Sequence, residues 1–356
     1  MSKLFLLFGI NILLLVAPSY LKAQETVEDD FSMYADLDFA DEAAKRYATS
    51  KVIGLSPQKL ILIGYDAQGP YKLESGSVNN TPAETMNTTL THGFQLAANI
   101  PVYSRNSLIV QLGFNYQGTT FASTRSTYEN DFNQILANAT HHTFGLNTTI
   151  FKPFNEKNFL IFQGSMDLNG DYELTKLQNP KYLKYSAAAI YGWKSSDRLM
   201  WGIGLAQTYR VGELNYIPIV LYNWTHPNLK WGAEVLAPAR AHLRYTINPR
   251  NMLFFGYELQ GQSYRLNNGN NVNWNFDNLE LRRGEIRVRA IYERQVAGFI
   301  WLGVQAGYRI GYSFNVDNVA DGKDFFRGSF GNDPYAFENK IGNPLYFNFT
   351  ISLVSP

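Results

Sequence analysis

The chain has 356 residues, a formal net charge of +1, no cysteine and only 17% charged residues. A near-neutral balance argues against a nucleic-acid partner, and the absence of cysteine excludes a disulfide-stapled scaffold. Aromatic residues at 15%, with 23 Tyr and 28 Gly, suit strands and their turns better than a helical enzyme.

The N-terminus reads as a targeting segment. Lys3 is followed by LFLLFGINILLLVAPS and then YLKAQ. A basic start, a short apolar core and a small residue before Gln24 predict a secretory signal peptide over 1–23. The apolar run is short for a membrane helix, and no stop-transfer pattern follows. Residues 24–56 differ from the rest in charge, with eight acids from Glu25 to Glu42 against Lys45, Arg46 and Lys51. DLDFADEAAKRYA within them suits a short helix, with acids early and bases late along the dipole. This segment is expected to be an acidic periplasmic arm. It is either a solvated tail or a plug for the lumen described below.

From residue 57 onward the pattern is period two, which places successive side chains on opposite faces of a strand. Phe94, Leu96, Ala98, Ile100 and Val102 alternate with Gln95, Ala97 and Asn99. The same alternation recurs at Leu108–Tyr116, Phe144–Ile150, Leu160–Leu168, Leu183–Trp193, Ile300–Tyr312 and Leu345–Leu353. These runs exceed the usual strand of about five or six residues and match the roughly 9–11 residues of a tilted membrane strand. Tight connections at 104–106, 152–158, 194–197, 226–228, 248–251 and 293–298 alternate with mostly longer ones at 67–90, 120–138, 170–181, 267–277 and 314–343. Only those near 211–213 and 237–240 are short on the second side. Short turns at one end and long loops at the other predict an all-β, transmembrane antiparallel β-barrel over 57–356. About fourteen strands are expected, an even number that returns both termini to one side.

LRRGEIRVRAIYERQ at 281–295 carries the sharpest version of this pattern. Its even face holds Ile286, Val288, Ala290 and Tyr292, and its odd face Arg283, Glu285, Arg287 and Arg289. An arginine held against lipid at the midplane costs about 2–4 kcal/mol, so the odd face must line the lumen. An edge strand of a soluble sandwich predicts the same alternation, but not the signal peptide, strand length and turn asymmetry together. Trp193, Trp201, Trp224, Trp231 and Trp301 fall near the short turns, with Tyr103 and Tyr245 close by, and predict an aromatic girdle.

The stretches SPQKLILIGYDAQGPYKL, YGWKSSDRLMWGIGLAQTYR and VLAPARAHLRYTINPRNMLFFGYELQGQSYRL resemble a family of uncharacterised outer-membrane β-barrels of Gram-negative bacteria, a domain of unknown function. The resemblance runs from about residue 55 to the C-terminus and consists of strand-and-turn patterns. It implies a barrel in the outer membrane, handled by the outer-membrane assembly machinery, and no site residues. The chain departs from many such barrels by ending ISLVSP, with Phe349 the nearest aromatic.

Inward-facing charge gathers on the later strands: Glu234, Arg240, His242, Arg244, Glu258, Arg283, Glu285, Arg287, Arg289 and Arg309. Acids and bases on neighbouring strands can pair across the ladder and stiffen the wall, or surplus arginine can form an anion-favouring constriction. The pairing reading is the stronger, because the acids offset much of the charge.

Enzyme chemistry is not expected. There is no GxSxG elbow, and His141 and His142 point to opposite faces of one strand. His92, His226 and His242 stand alone. DNVADGKD at 317–324 lacks the middle acid and the bidentate glutamate of a calcium loop. GIGLAQ at 202–207 lacks the third glycine of a dinucleotide site. No metal and no cofactor is expected. Three functions remain: a narrow or gated channel for small anionic or polar solutes, a structural or surface-interaction barrel with an occluded lumen, and, third, a barrel hydrolase using His142 or His242.

Overall fold

The structure, a computed structural model, describes residues 47–78, 80–173, 182–210, 212, 214–266, 279–318 and 335–355. The signal peptide over 1–23 and the acidic residues of the arm lie outside the described residues, as do 174–181, 267–278 and 319–334 of the long connections.

The strands are β1 (Lys59–Gln68), β2 (Tyr71–Ser75), β3 (Glu84–Arg105), β4 (Leu108–Ser123), β5 (Thr140–Pro153), β6 (Asn158–Gly170), β7 (Leu183–Ser196), β8 (Leu199–Thr208), β9 (Asn215–Thr225), β10 (Trp231–Ala237), β11 (Arg240–Asn248), β12 (Asn251–Arg265), β13 (Leu279–Ala297), β14 (Ile300–Asn318), β15 (Asn339–Ile341) and β16 (Leu345–Val354). One helix, α1 (Asp131–Asn138), lies between β4 and β5. Each wall strand pairs antiparallel with its neighbours, and β1 closes the ring by pairing with β16 on one side and β3 on the other. β2 and β15 pair with each other and prolong β1 and β16 at the long-loop end. The result is a closed antiparallel barrel of 14 strands.

The two faces sort as the period-two pattern requires. Phe94, Leu112, Leu146, Leu205, Val288, Val304 and Phe347 are exposed on the outside, while their odd or even neighbours turn inward. An apolar outer face on every side of a closed sheet is the surface of a barrel that spans a bilayer. Ten residues of β16 at about 3.3 Å each, tilted by about 40°, reach about 25 Å, the height of the apolar band of such barrels.

Two connections expected as long loops contain regular structure. Within 67–90, β2 runs on from β1 and β3 begins at Glu84, so only the middle of that stretch is a loop. Within 120–138 lies α1, capped by Asn130, whose side chain accepts from the Phe132 and Asn133 N–H groups. Eight residues give too short a signal to separate a helix from a polar loop by periodicity.

Trp301 corrects the expected girdle. It is 4% exposed and packs inward with Met252, Phe254, Ile291 and Val354. The cause is parity: Leu302, Val304 and Tyr308 face out, so position 301 faces in. Trp201 and Trp231 are exposed on the outside. Trp193 stacks on Trp201 at 4.4 Å, and Trp224 lies across the ladder from Leu199 and Ala233 on the same outward face.

Candidate functional site

Three layers fill the lumen along its length. Next to the long loops lies an apolar cluster of Leu73, Met86, Phe121, Tyr264, Leu281 and Phe314, joined by Phe132, Ile135 and Leu136 of α1. Phe132 meets Phe314 and Phe337 edge to face at 6.2 and 5.2 Å. This helix is anchored as well as packed: the Asn130 amide donates to the carbonyls of Gly76 and Pro82, and its backbone N–H donates to Glu84.

Below this lid is an ionic layer. Arg287 donates to both carboxylate oxygens of Asp66 at 2.8 and 3.2 Å and to Glu285 at 2.7 Å. Arg283 donates to the other Glu285 oxygen at 2.9 and 3.1 Å. Arg309 donates to the Gln68 side chain and the Gly342 carbonyl, each at 2.6 Å, and lies over the Tyr71 ring. Asn348 bridges Asp66 and Gln95. All five charged residues of this knot, from β1, β13 and β14, are buried. Buried charges persist when paired in good geometry with their remaining hydrogen-bonding sites filled, and two carboxylates against three guanidiniums leave this layer with one positive charge in surplus.

The sequence-predicted residues divide into groups. Arg283, Glu285, Arg287 and Arg309 meet in this knot. Arg289 pairs with Glu258 and faces His242 and Gln305. Arg244 donates to Glu234 at 2.8 Å and to Thr225 at 2.8 Å. Arg240 joins none of these and is solvent-exposed at the start of β11, next to the β10–β11 turn. Asp66 and Gln68 were missed, since β1 lies three strands from β13 and only the closure of the ring brings them together. His141 packs inward on Phe121 and Tyr264, while His142 faces out and bonds the Tyr116 hydroxyl. Among the described residues no three His, Asp or Glu side chains group as a metal site.

The third layer lies at the short-turn end, where the chain itself enters the barrel. Ala48 and Val52 are buried against Phe151, Phe159, Ile190, Met200 and Leu221 on the inner wall. The Ala48 N–H donates to the Asn155 carbonyl and the Ile53 N–H to the Asp197 carbonyl, both in short turns at 2.8 Å. Ser56 donates from its N–H and its hydroxyl to the two oxygens of Glu234, at 3.1 and 2.8 Å, and Glu234 is the partner of Arg244. Residues 47–56 of the expected arm therefore dock inside the wall through apolar packing, a Ser–Glu–Arg relay and the Lys194 ammonium, which donates to Thr49 and to the Lys51 carbonyl. A cavity of about 920 Å3 lies between residues 49–58 and the wall around Ile109, Thr149 and Ile161.

The layers are not coaxial rings. β11 begins opposite Glu258, so β12 beyond that point loses its β11 partner. Its far end crosses to β6, where Arg265 bridges Gly170 in parallel and the Asp171 N–H donates to the Arg265 carbonyl. A Cβ on Gly170 would stand 2.8 Å from that carbonyl oxygen and 2.5 Å from the Tyr182 ring, so only glycine admits the crossing. Gln262 reaches Gln117 of β4 at 3.0 Å. The upper barrel is thereby narrowed to β12–β14 and β2–β6, leaving β7–β11 as a lower rim beside it. Lys184 of β7 pairs with Glu280, and Ser263 donates to the Gly212 carbonyl, along the back of the crossing hairpin. Two cavities flank the crossing: one of about 370 Å3 under the β10–β11 turn and one of about 240 Å3 toward β4–β6, both reaching Arg210, Glu258 and Leu259.

A closed antiparallel sheet with an apolar exterior, an ionic interior and its own N-terminal segment packed inside defines a transmembrane β-barrel with a filled lumen. The chain belongs to the family described as a domain of unknown function, DUF6268, whose model matches residues 56–311. No curated protein matches it. Among solved structures it is similar to the NanC porin, at 10% identity over 82% of this chain and 100% of that one, with a TM-score of 0.32. It is also similar to the Pseudomonas putida toluene transporter TodX, at 8% over 84% and 90%, TM-score 0.33. A third is the translocator domain of the autotransporter NalP from Neisseria meningitidis, at 10% over 84% and 90%, TM-score 0.29. The assignment as a barrel rests on this chain's own strand pairing.

Proposed function

We propose that the protein is an outer-membrane barrel that works as a gated channel for small polar or anionic solutes, with residues 47–56 as its gate at the periplasmic, short-turn end. The observation that carries this reading is the docking of that segment. It is held to the inner wall by a small apolar patch, two backbone hydrogen bonds, the Lys194 ammonium donating to Thr49 and to the Lys51 carbonyl, and the Ser56–Glu234 contact. Such an attachment is weak enough to release as a unit, while the wall behind it stays closed. The surplus guanidinium of the central knot favours anions over cations.

Planar-bilayer recording tests it. The intact chain is expected to be mostly closed, and deletion of 47–55, or Val52→Asp, which forces a charge into the apolar patch, to give sustained conductance. Equal conductance in all three removes this segment as the gate.

A second reading is favoured by the apolar α1 lid and the paired central charges: a structural barrel whose lumen stays occluded. It predicts that the deletion variant remains silent.

A further inference from the structure

Beside the crossing hairpin, the cavity of about 370 Å3 has two unlike sides. Its floor carries an aliphatic patch of Ala188, Ala206, Ile217, Ile219 and Leu236 from the inner faces of β7–β10, bordered by the polar side chains of Gln163, Ser165, Ser186 and Thr208. Its lip is the turn 237–240, which presents Arg240. Among the described residues Arg240 makes no ion pair. Its neighbour across the ladder, Glu258, is taken by Arg289, and the other lining guanidinium, Arg210, is held by both oxygens of Asp167 at 3.1 Å. The lining charges thus cancel except for Arg240. The volume falls in the range of about 300–1,000 Å3 usual for small-molecule sites, which pair an apolar body with a few placed polar groups.

Building on the channel reading above, we propose that this cavity is a binding site for small amphipathic carboxylates, with the apolar body on the aliphatic floor and the carboxylate on Arg240. A guanidinium fork matches a carboxylate in two parallel hydrogen bonds. The five aliphatic side chains seat the apolar body, and the surplus positive charge disfavours an amine. From the lip, Arg210 borders the second cavity, of about 240 Å3, whose lining of Asn115, Gln117, Thr143 and Gln260 is polar. The two cavities share Arg210, Glu258 and Leu259.

The test is calorimetric titration of hexanoate into the full chain in lipid nanodiscs, with empty nanodiscs subtracted and hexanol and hexylammonium as comparators. Saturable hexanoate binding is expected, weakened about tenfold or more by Arg240→Gln and partly restored in Arg240→Lys. Ala206→Leu, which fills the floor, is expected to abolish binding. Arg240 is exposed, so its variants report on the site even if the Ala206 variant fails to fold. Hexanoate affinity unchanged by Arg240→Gln, or hexylammonium bound equally well, would overturn the site. A chain that binds hexanoate yet never conducts would overturn the channel reading and leave the site standing; one that conducts but binds no hexanoate would overturn the site alone.

Discussion

Arg287 shows how a residue unaffordable on one face becomes structural on the other. Its guanidinium is 2% exposed and is shared by Asp66 and Glu285, while Val288 beside it is 49% exposed to the lipid side. Removing one partner of a buried pair strands the other charge, at a cost of about 3–5 kcal/mol. Asp66→Ala is therefore expected to destabilise the barrel by about that amount in urea unfolding from lipid vesicles. A loss below about 1 kcal/mol would mean that the knot carries little of the wall's rigidity. Val288→Arg is expected to cost about 2–4 kcal/mol by the same measurement, because it puts the charge against hydrocarbon. A neutral outcome there would contradict the assignment of faces. Trp301 gives the counterpart for aromatics. Nearness to a short turn suggested the girdle, but its odd position among outward-facing even ones decided its direction.

At the scale of elements, the lid and the crossing hairpin were the least legible in the sequence. α1 is eight residues in a stretch that reads as polar connection, and its role emerges only from long-range packing on Phe314 and Phe337. Phe132→Ala opens a cavity among buried rings and is expected to cost about 3–5 kcal/mol. The check is the temperature at which the folded, fast-migrating band disappears on a gel, which should fall markedly; an unchanged temperature would show that the lid is dispensable. The departure of β12 from β11 had only one trace in the sequence, the shortness of the connections at 211–213 and 237–240 beside long neighbours. The strands themselves were legible, because each has one face in hydrocarbon and one in a polar interior. That contrast writes a period of two directly into the residues. The arginine face of β13 was legible for the same reason.

For the whole molecule, ring closure is the step that local pattern does not encode. Strand count, parity and the turn asymmetry followed from the residues one segment at a time. Which inward charges meet depends on the stagger of the closed ring, and this is why Asp66 joins Arg287 across 221 positions of sequence. The docking of 47–56 is likewise a whole-molecule property. The acidic residues from Glu25 to Glu42, outside the described residues, are the reason to expect a plug; residues 47–56 sit chiefly on apolar wall, through Ala48 and Val52. The proposed gate can be locked. Ala48 and Asn155 are joined by a backbone hydrogen bond of 2.8 Å, and the chain has no cysteine of its own. The decisive measurement is the single-channel conductance of the Ala48→Cys, Asn155→Cys double variant, recorded oxidised and then reduced in the same bilayer. The account predicts silence under oxidant and openings restored by reductant, whereas the same conductance in both states would contradict it.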